Sequence, residues 1–156
     1  MHKSIFIILI AFFGSFSACT KQVAYSEKEV NQLLNDWHKA AADADLEKYF
    51  GLMTENATYI GTDPSERWTR QEFLNFCKPY FEKGTTWDFK AFDREIYTSE
   101  DKKTIWFDEL LNTWMGVCRA SGVLVIENNE YKISHYHLSV TIKNESIKEF
   151  LKIKQD

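Results

Sequence analysis

Most of the short motifs that announce a chemistry are missing from this sequence. It has no Gly-x-Gly-x-x-Gly, no phosphate-binding glycine loop and no Gly-x-Ser-x-Gly. Nucleotide use and serine-hydrolase chemistry are therefore not expected. It has no His-Glu-x-x-His and no Cys-x-x-Cys, so the usual zinc spacings are absent. Glycine (6), proline (2) and cysteine (3) are all scarce, and no repeat or low-complexity stretch occurs. No basic run stands out, and the net charge is −4. Phosphate contacts need clustered Lys and Arg, so nucleic acid is not an expected partner. No apolar run reaches the roughly 20 residues of a membrane-crossing helix.

What the chain does have is aromatic residues, 15% of its 156 positions, alongside 27% charged residues. That is the composition of one globular domain with an aromatic interior. Such a chain has ample apolar surface to offset the entropy of folding.

The first residues read as a targeting segment rather than as part of the fold. Lys3 precedes an apolar run from Ile5 to Phe13, and Ser15, Ser17 and Ala18 lead into Cys19. This is a secretory-signal pattern. The stretch Phe16-Ser-Ala-Cys19 resembles a lipobox, with Phe where Leu is preferred. The resemblance implies a signal peptide over 1–18, cleavage before Cys19, acylation of Cys19 and a lipidated tether over 19–25. Several acyl chains anchor firmly where one would be marginal, so the expected state is anchored rather than soluble or spanning. Thr20 stands where an inner-membrane retention signal would place Asp. The expected address is the bacterial cell envelope, at the outer membrane facing the periplasm. That compartment is oxidising and would allow a Cys77–Cys118 disulfide, although both cysteines sit on apolar-patterned elements, where buried free thiols are common. Cys77 lies on an apolar helical stripe, a poor setting for a nucleophile.

From residue 26 the pattern is helical. Ser26 and Glu29 fit a capping box, and Val30, Leu33, Leu34, Trp37 and Ala41 follow at helical spacing, predicting a helix over 26–42. Leu46, Tyr49, Phe50 and Met53 predict a second, short helical face. Residues 58–60 are β-prone, and Gly61-Thr-Asp-Pro64 has turn chemistry. Thr69 with Glu72 opens a third helix, closed by Gly84. Pro79 inside it predicts a kink or an early end. Beyond residue 85 the period becomes strand-like, giving four antiparallel strands: Trp87–Tyr97, Thr104–Trp114, Val117–Ile126 and Tyr131–Ile142. Asn128-Asn129 supplies a hairpin turn. Helices segregated from an antiparallel sheet define an α+β domain over 26–156.

This order, together with Trp37, Gly61-Thr-Asp-Pro-Ser-Glu-Arg-Trp68, Pro79-Tyr-Phe81, Trp106-Phe-Asp-Glu109, Cys118-Arg-Ala-Ser-Gly122 and His135-Tyr-His-Leu-Ser139, resembles the SnoaL-like branch of the nuclear transport factor 2-like superfamily. The resemblance covers about residues 26–142. It implies a cone-shaped, curved antiparallel sheet wrapped around about three N-terminal helices, the cystatin-like roll, with an internal cavity and pairing into a homodimer. Members include isomerases, cyclases, dehydratases, ligand binders and assembly domains, so the fold does not fix the function.

Strand alternation places Ile133, His135, His137 and Ser139 on one face. Tyr131 and Ile133 are bulky enough to start the cavity side, which would aim both histidines inward. Arg119 and Ser121 share a face of the preceding strand, and of Asp108 and Glu109 only one can line the cavity. Two expectations compete. His135 or His137 works with Asp108 or Glu109 as a general acid–base pair. Alternatively, Arg119 merely pairs with Asp108 or Glu109 across neighbouring strands. His-x-His also presents two imidazoles to a metal, but no third ligand has diagnostic spacing, so neither metal nor cofactor is expected. Asp63, Glu66 and Trp68 form either a rim closing over a ligand or a turn with a helix staple. Trp37, Tyr59, Trp106, Arg119 and Ser121 complete the candidate pocket. Three functions follow: a binder of a small, mostly apolar molecule; an isomerase or dehydratase using a His–carboxylate pair; and an interaction module whose cavity is filled by side chains.

Overall fold

The computed structural model describes residues 25–154. The expected signal peptide, Cys19 and nearly all of the tether lie outside these residues. Helices α1 (Glu27–Ala42) and α2 (Leu46–Gly51) lead into strands β1 (Met53–Ile60) and β2 (Arg67–Thr69). Helix α3 (Arg70–Glu82) precedes four strands: β3 (Lys90–Thr98), β4 (Thr104–Thr113), β5 (Gly116–Glu127) and β6 (Glu130–Val140). A 3-10 turn (Asn144–Ser146) and helix α4 (Ile147–Ile153) follow. The six strands form one sheet in the order β2-β1-β6-β5-β4-β3. Its inner face buries Ile105, Phe107, Leu111, Leu124, Ile133 and Tyr136 in one core with Val30, Leu34, Trp37, Tyr49 and Phe73 from the helices. The α+β curved sheet with helices first in the chain agrees with the sequence reading.

Local signals account for most boundaries. Thr69 and Glu72 form a complete capping box, and Gly84 follows the helix at φ +64°, the left-handed position that glycine adopts without penalty. Asn128 and Asn129 both have positive φ, the geometry of a two-residue hairpin turn. At Ser26 only half of the expected box forms. The Ser26 side chain accepts from the Glu29 N–H, while the Ser26 N–H donates to Tyr131 Oη at 2.9 Å.

Several expectations are corrected. Helix α3 runs through Pro79 to Glu82; Pro79 lies on the exposed side, where water can take the carbonyl it frees. Met53 begins a strand rather than ending a helix, and residues 67–69 form an added edge strand antiparallel to β1. Strand β1 pairs parallel with β6, so the sheet is mixed. Residues 144–153 are helical, an element absent from the sequence reading; Ser146 and Glu149 have capping-box spacing, but the Ser146 side chain makes no cap hydrogen bond. Of the two states the sequence left open for Cys77 and Cys118, the structure shows the thiols, both free and buried. Burial pushes the Cys77 thiol well above its ordinary range, which disfavours the thiolate that reacts. The native protein should therefore react with a thiol reagent at these two positions far more slowly than the urea-unfolded protein. Equal rates in the two states would place the thiols outside the core.

Two bulges set which side chains face inward. On β3, Phe92 pairs with Leu110 and Glu95 with Asp108, so Asp93 and Arg94 together oppose Glu109. Asp93 adopts φ +49°, and Arg94 turns inward. On β6, Val123 pairs with His135 but Leu124 with Ile133. Ser134 is thus the extra residue, with its Oγ donating to Val123 O at 3.1 Å. An inserted residue reverses the facing of everything beyond it.

Candidate functional site

The Ser134 bulge overturns the inward placement of the two histidines. Ile133 faces the core, but beyond the bulge the inward residues are Tyr136 and Leu138. His135, His137 and Ser139 stand on the outer face, where His137 Nε2 lies 3.2 Å from Ser139 Oγ. Partial burial, with smaller contributions from His137 and Arg67, holds the His135 pKa below its ordinary value. Asp108, Arg119 and Ser121 are on the outer face too, in register across β4, β5 and β6 with His137 and Ser139. Arg119 and Asp108 pair there as a surface ion pair of small energetic consequence. Trp106 is likewise outside, 42% exposed and stacked on Tyr97. Asp63 is a turn residue whose Oδ1 accepts from the Ser65 N–H and hydroxyl.

Glu109 is the carboxylate that faces inward. It is fully buried, and its partner histidine is His38 on α1, with Nε2 2.7 Å from Glu109 Oε1. Arg94 Nε donates to the other oxygen, also at 2.7 Å. Arg94 Nη1 donates to the Asn31 carbonyl and to the side chains of Asn31 and Asn35. Burial pushes the Glu109 carboxyl up, but the His38 hydrogen bond and the charges of His38 and Arg94 outweigh it and leave the pKa below the ordinary value. With Glu109 ionised, Nε2 of His38 carries the proton. Nδ1 is then the ring atom left for the groove of about 450 Å³ that His38 lines with Asn35, Lys39, Asp88 and Phe89.

On the other side of Phe89 lies an aromatic pocket of about 160 Å³, bounded by β1, β2, α3 and the β4–β5 turn. Tyr59 and Phe73 stack at 3.8 Å and 16°, and Trp68 stacks on Phe73 and Phe76 at 20° and 23°. Trp87 and Leu138 complete the wall, and Glu66 is its charged group. The Glu66 carboxylate accepts the Asp63 N–H and lies so close over Gly61 that a Cβ there would come within 2.1 Å of it. A side chain at residue 61 would push Glu66 out of the wall. Trp37, the remaining pocket candidate, is core, stacked on Tyr49 and 1% exposed. Below the pocket the cone is filled: Tyr49, Phe107 and Tyr136 are 1% exposed. The Tyr136 hydroxyl and Arg94 Nη2 are buried without a partner.

Two features of the sequence point to His38 and Arg94. His38 stands eight residues after Val30 and four after Leu34, on the buried stripe of α1. Arg94 was concealed by its bulge, although the shift of apolar residues from Phe89 and Ala91 to Ile96 breaks the strand period at that point.

No group of three metal-ligating side chains occurs among the described residues, and no helix there is long and apolar enough to cross a membrane. Solved structures share the fold. They include a nuclear transport factor 2-like protein of unknown function from Pseudomonas putida, 13% identical, with TM-score 0.63 over 77% of this chain and 89% of that one. A protein of unknown function with a cystatin-like fold from Nostoc punctiforme is 9% identical, TM-score 0.61, over 77% and 94%. ActVI-ORFA from Streptomyces coelicolor is 14% identical, TM-score 0.58, over 72% and 95%. At these identities the likeness concerns the fold alone. No curated protein matches the chain. The sequence of residues 30–143 matches the SnoaL-like domain, and with the curved sheet and enclosing helices this makes the chain a member of the SnoaL-like domain family.

Proposed function

We propose that this protein is a lipid-anchored envelope protein whose SnoaL-like domain binds a small, flat, mostly apolar molecule. The observation that carries the reading is the set of near-parallel aromatic faces around the 160 Å³ pocket. An apolar cavity of roughly 150 Å³ holds a single aromatic ring. Glu66, the charged group in the wall, fits a ligand bearing one hydrogen-bond donor. The lipobox-like segment ending at Cys19 supports acylation there and an outer-membrane address facing the periplasm. The exposed Tyr97–Trp106 stack on the outer sheet face supports pairing of two copies through that face.

Native mass spectrometry of the domain from Lys21 onward, purified from envelope extract, tests this reading. The expected result is a bound small molecule that is lost in Phe76→Ala, a change at a 41% exposed residue that the fold tolerates. A protein that arrives empty and takes up nothing from a metabolite screen would instead favour the interaction module with a filled cavity.

The His38–Glu109 pair supports a second reading, proton transfer of the isomerase or dehydratase kind. A carboxylate behind an imidazole fixes its tautomer, so Nδ1 would act as base toward a molecule in the adjoining groove. Under this reading His38→Gln abolishes conversion of the bound molecule without releasing it, and unchanged turnover would remove His38 from the chemistry.

A further inference from the structure

Six of the twelve exposed large apolar side chains among the described residues gather at one end of the domain. Trp114, 84% exposed, sits on the β4–β5 turn and lines the aromatic pocket. Helix α4 carries Ile147, Phe150 and Leu151 at i, i+3 and i+4, the spacing of one helical face, with exposures of 39%, 39% and 58%. Phe150 borders a groove formed with Gly61, Thr62 and Leu138, three residues that also line the aromatic pocket. The Trp114 turn and α4 therefore flank the same end of the domain, at the pocket. Val117 and Val140, 42% and 46% exposed, lie between them, with Val117 O accepting from Thr141.

We propose that this end docks on the surface of a lipid bilayer, with Trp114 and the apolar face of α4 entering the headgroup boundary, so that the pocket is loaded from the lipid phase. Lipid fits this surface better than a protein partner for two reasons. A tryptophan on a turn beside an amphipathic helix is the composition of an interfacial anchor. In a chain of net charge −4, the segment 143–154 carries four lysines against two glutamates, a local excess that attracts anionic headgroups. The ligand class narrows accordingly to a lipid-borne amphiphile with a ring-sized apolar group. That last step rests on the pocket reading; the docking does not.

The proposed tether constrains the pose. Ser26 meets Tyr131 at the opposite end of β6 from Val140, about 30 Å away at the rise of a strand. A tether over 19–25 reaches at most roughly 25 Å. An anchored domain docked by this end thus lies with β6 slanted to the bilayer.

The test is vesicle flotation of the unlipidated chain from Lys21, which contains every described element, on phosphatidylcholine–phosphatidylglycerol and on phosphatidylcholine vesicles. The expected result is partitioning that weakens without phosphatidylglycerol and falls about tenfold in each of Trp114→Ser and Leu151→Glu. Both side chains are exposed, so circular dichroism should be unchanged. Absence of partitioning, or equal partitioning of wild type and the double variant, overturns the proposal. So does self-association of the wild type that the double variant abolishes, since the face would then join two copies. Loss of ligand in Phe76→Ala is read in vesicle-free solution, so failure of the pocket reading leaves the flotation result standing.

Discussion

Replacing Glu109 by Ala is expected to lower the unfolding free energy by about 3–5 kcal/mol, among the largest effects of any single change in this protein. The reason is what the change leaves behind. His38 is 8% exposed, and the Arg94 side chain is likewise 8% exposed. Without Glu109, Arg94 keeps only the Asn31 and Asn35 contacts at Nη1, with Nη2 already unpartnered. Its charge then has no counter-ion, and a buried uncompensated charge is what makes the loss large. Glu109→Gln keeps the shape and one acceptor, so its cost should be smaller, about 1–3 kcal/mol. The same cluster gives a pH signature. The folded-state pKa of Glu109 is held below its ordinary value, so its stabilisation is fully present above the unfolded carboxylate value and is lost as pH falls through the folded one. Urea midpoints should therefore drop on acidification in the wild type, and this component should vanish in Glu109→Gln. An Ala variant within about 1 kcal/mol of wild type would mean that water or a rearranged Arg94 satisfies the site.

Architecture was legible in the sequence because the features that set it are local. Thr69 and Glu72 cap a helix by contacts three residues apart, Asn128-Asn129 turns a hairpin by its own φ angles, and the strand period of residues 104–126 needs no insertion to put Phe107, Glu109 and Leu124 inside. The candidate site was less legible because two single-residue bulges decide it. Alternation counted from Tyr131 and Ile133 sends His135 and His137 inward, and it does so correctly until Ser134 adds one residue. The extra residue turns two histidines outward and brings Tyr136 and Leu138 in. Arg94 reaches Glu109 by the same device. The parallel pairing of β1 with β6 spans some 80 residues of chain, and no local pattern encodes it. Of the pocket candidates read from the sequence, Tyr59, Glu66 and Trp68 lie around the aromatic pocket, and Trp37, Asp63, Trp106, Arg119 and Ser121 do not.

Phe73 is where the fold and the pocket depend on the same side chain. It is 1% exposed and contacts Tyr59, Phe50, Trp68 and Trp87 ring to ring. Phe73→Ala should cost about 3–5 kcal/mol through lost burial and the cavity left behind. The cavity would open directly into the existing 160 Å³ pocket, and that makes the loss reversible in part. A ring-sized apolar molecule such as toluene should refill the space and stabilise the variant by about 2.7 kcal/mol at a hundredfold excess over its dissociation constant. Thermal unfolding with and without toluene reads both effects. The expected pattern is a low midpoint for Phe73→Ala that toluene raises more than it raises the wild type. A variant that loses stability but gains nothing from toluene would show that Trp68 and Phe76 collapse into the gap. The aromatic faces would then be packing for their own sake, and the weight of the functional reading would shift from the pocket to the groove beside His38.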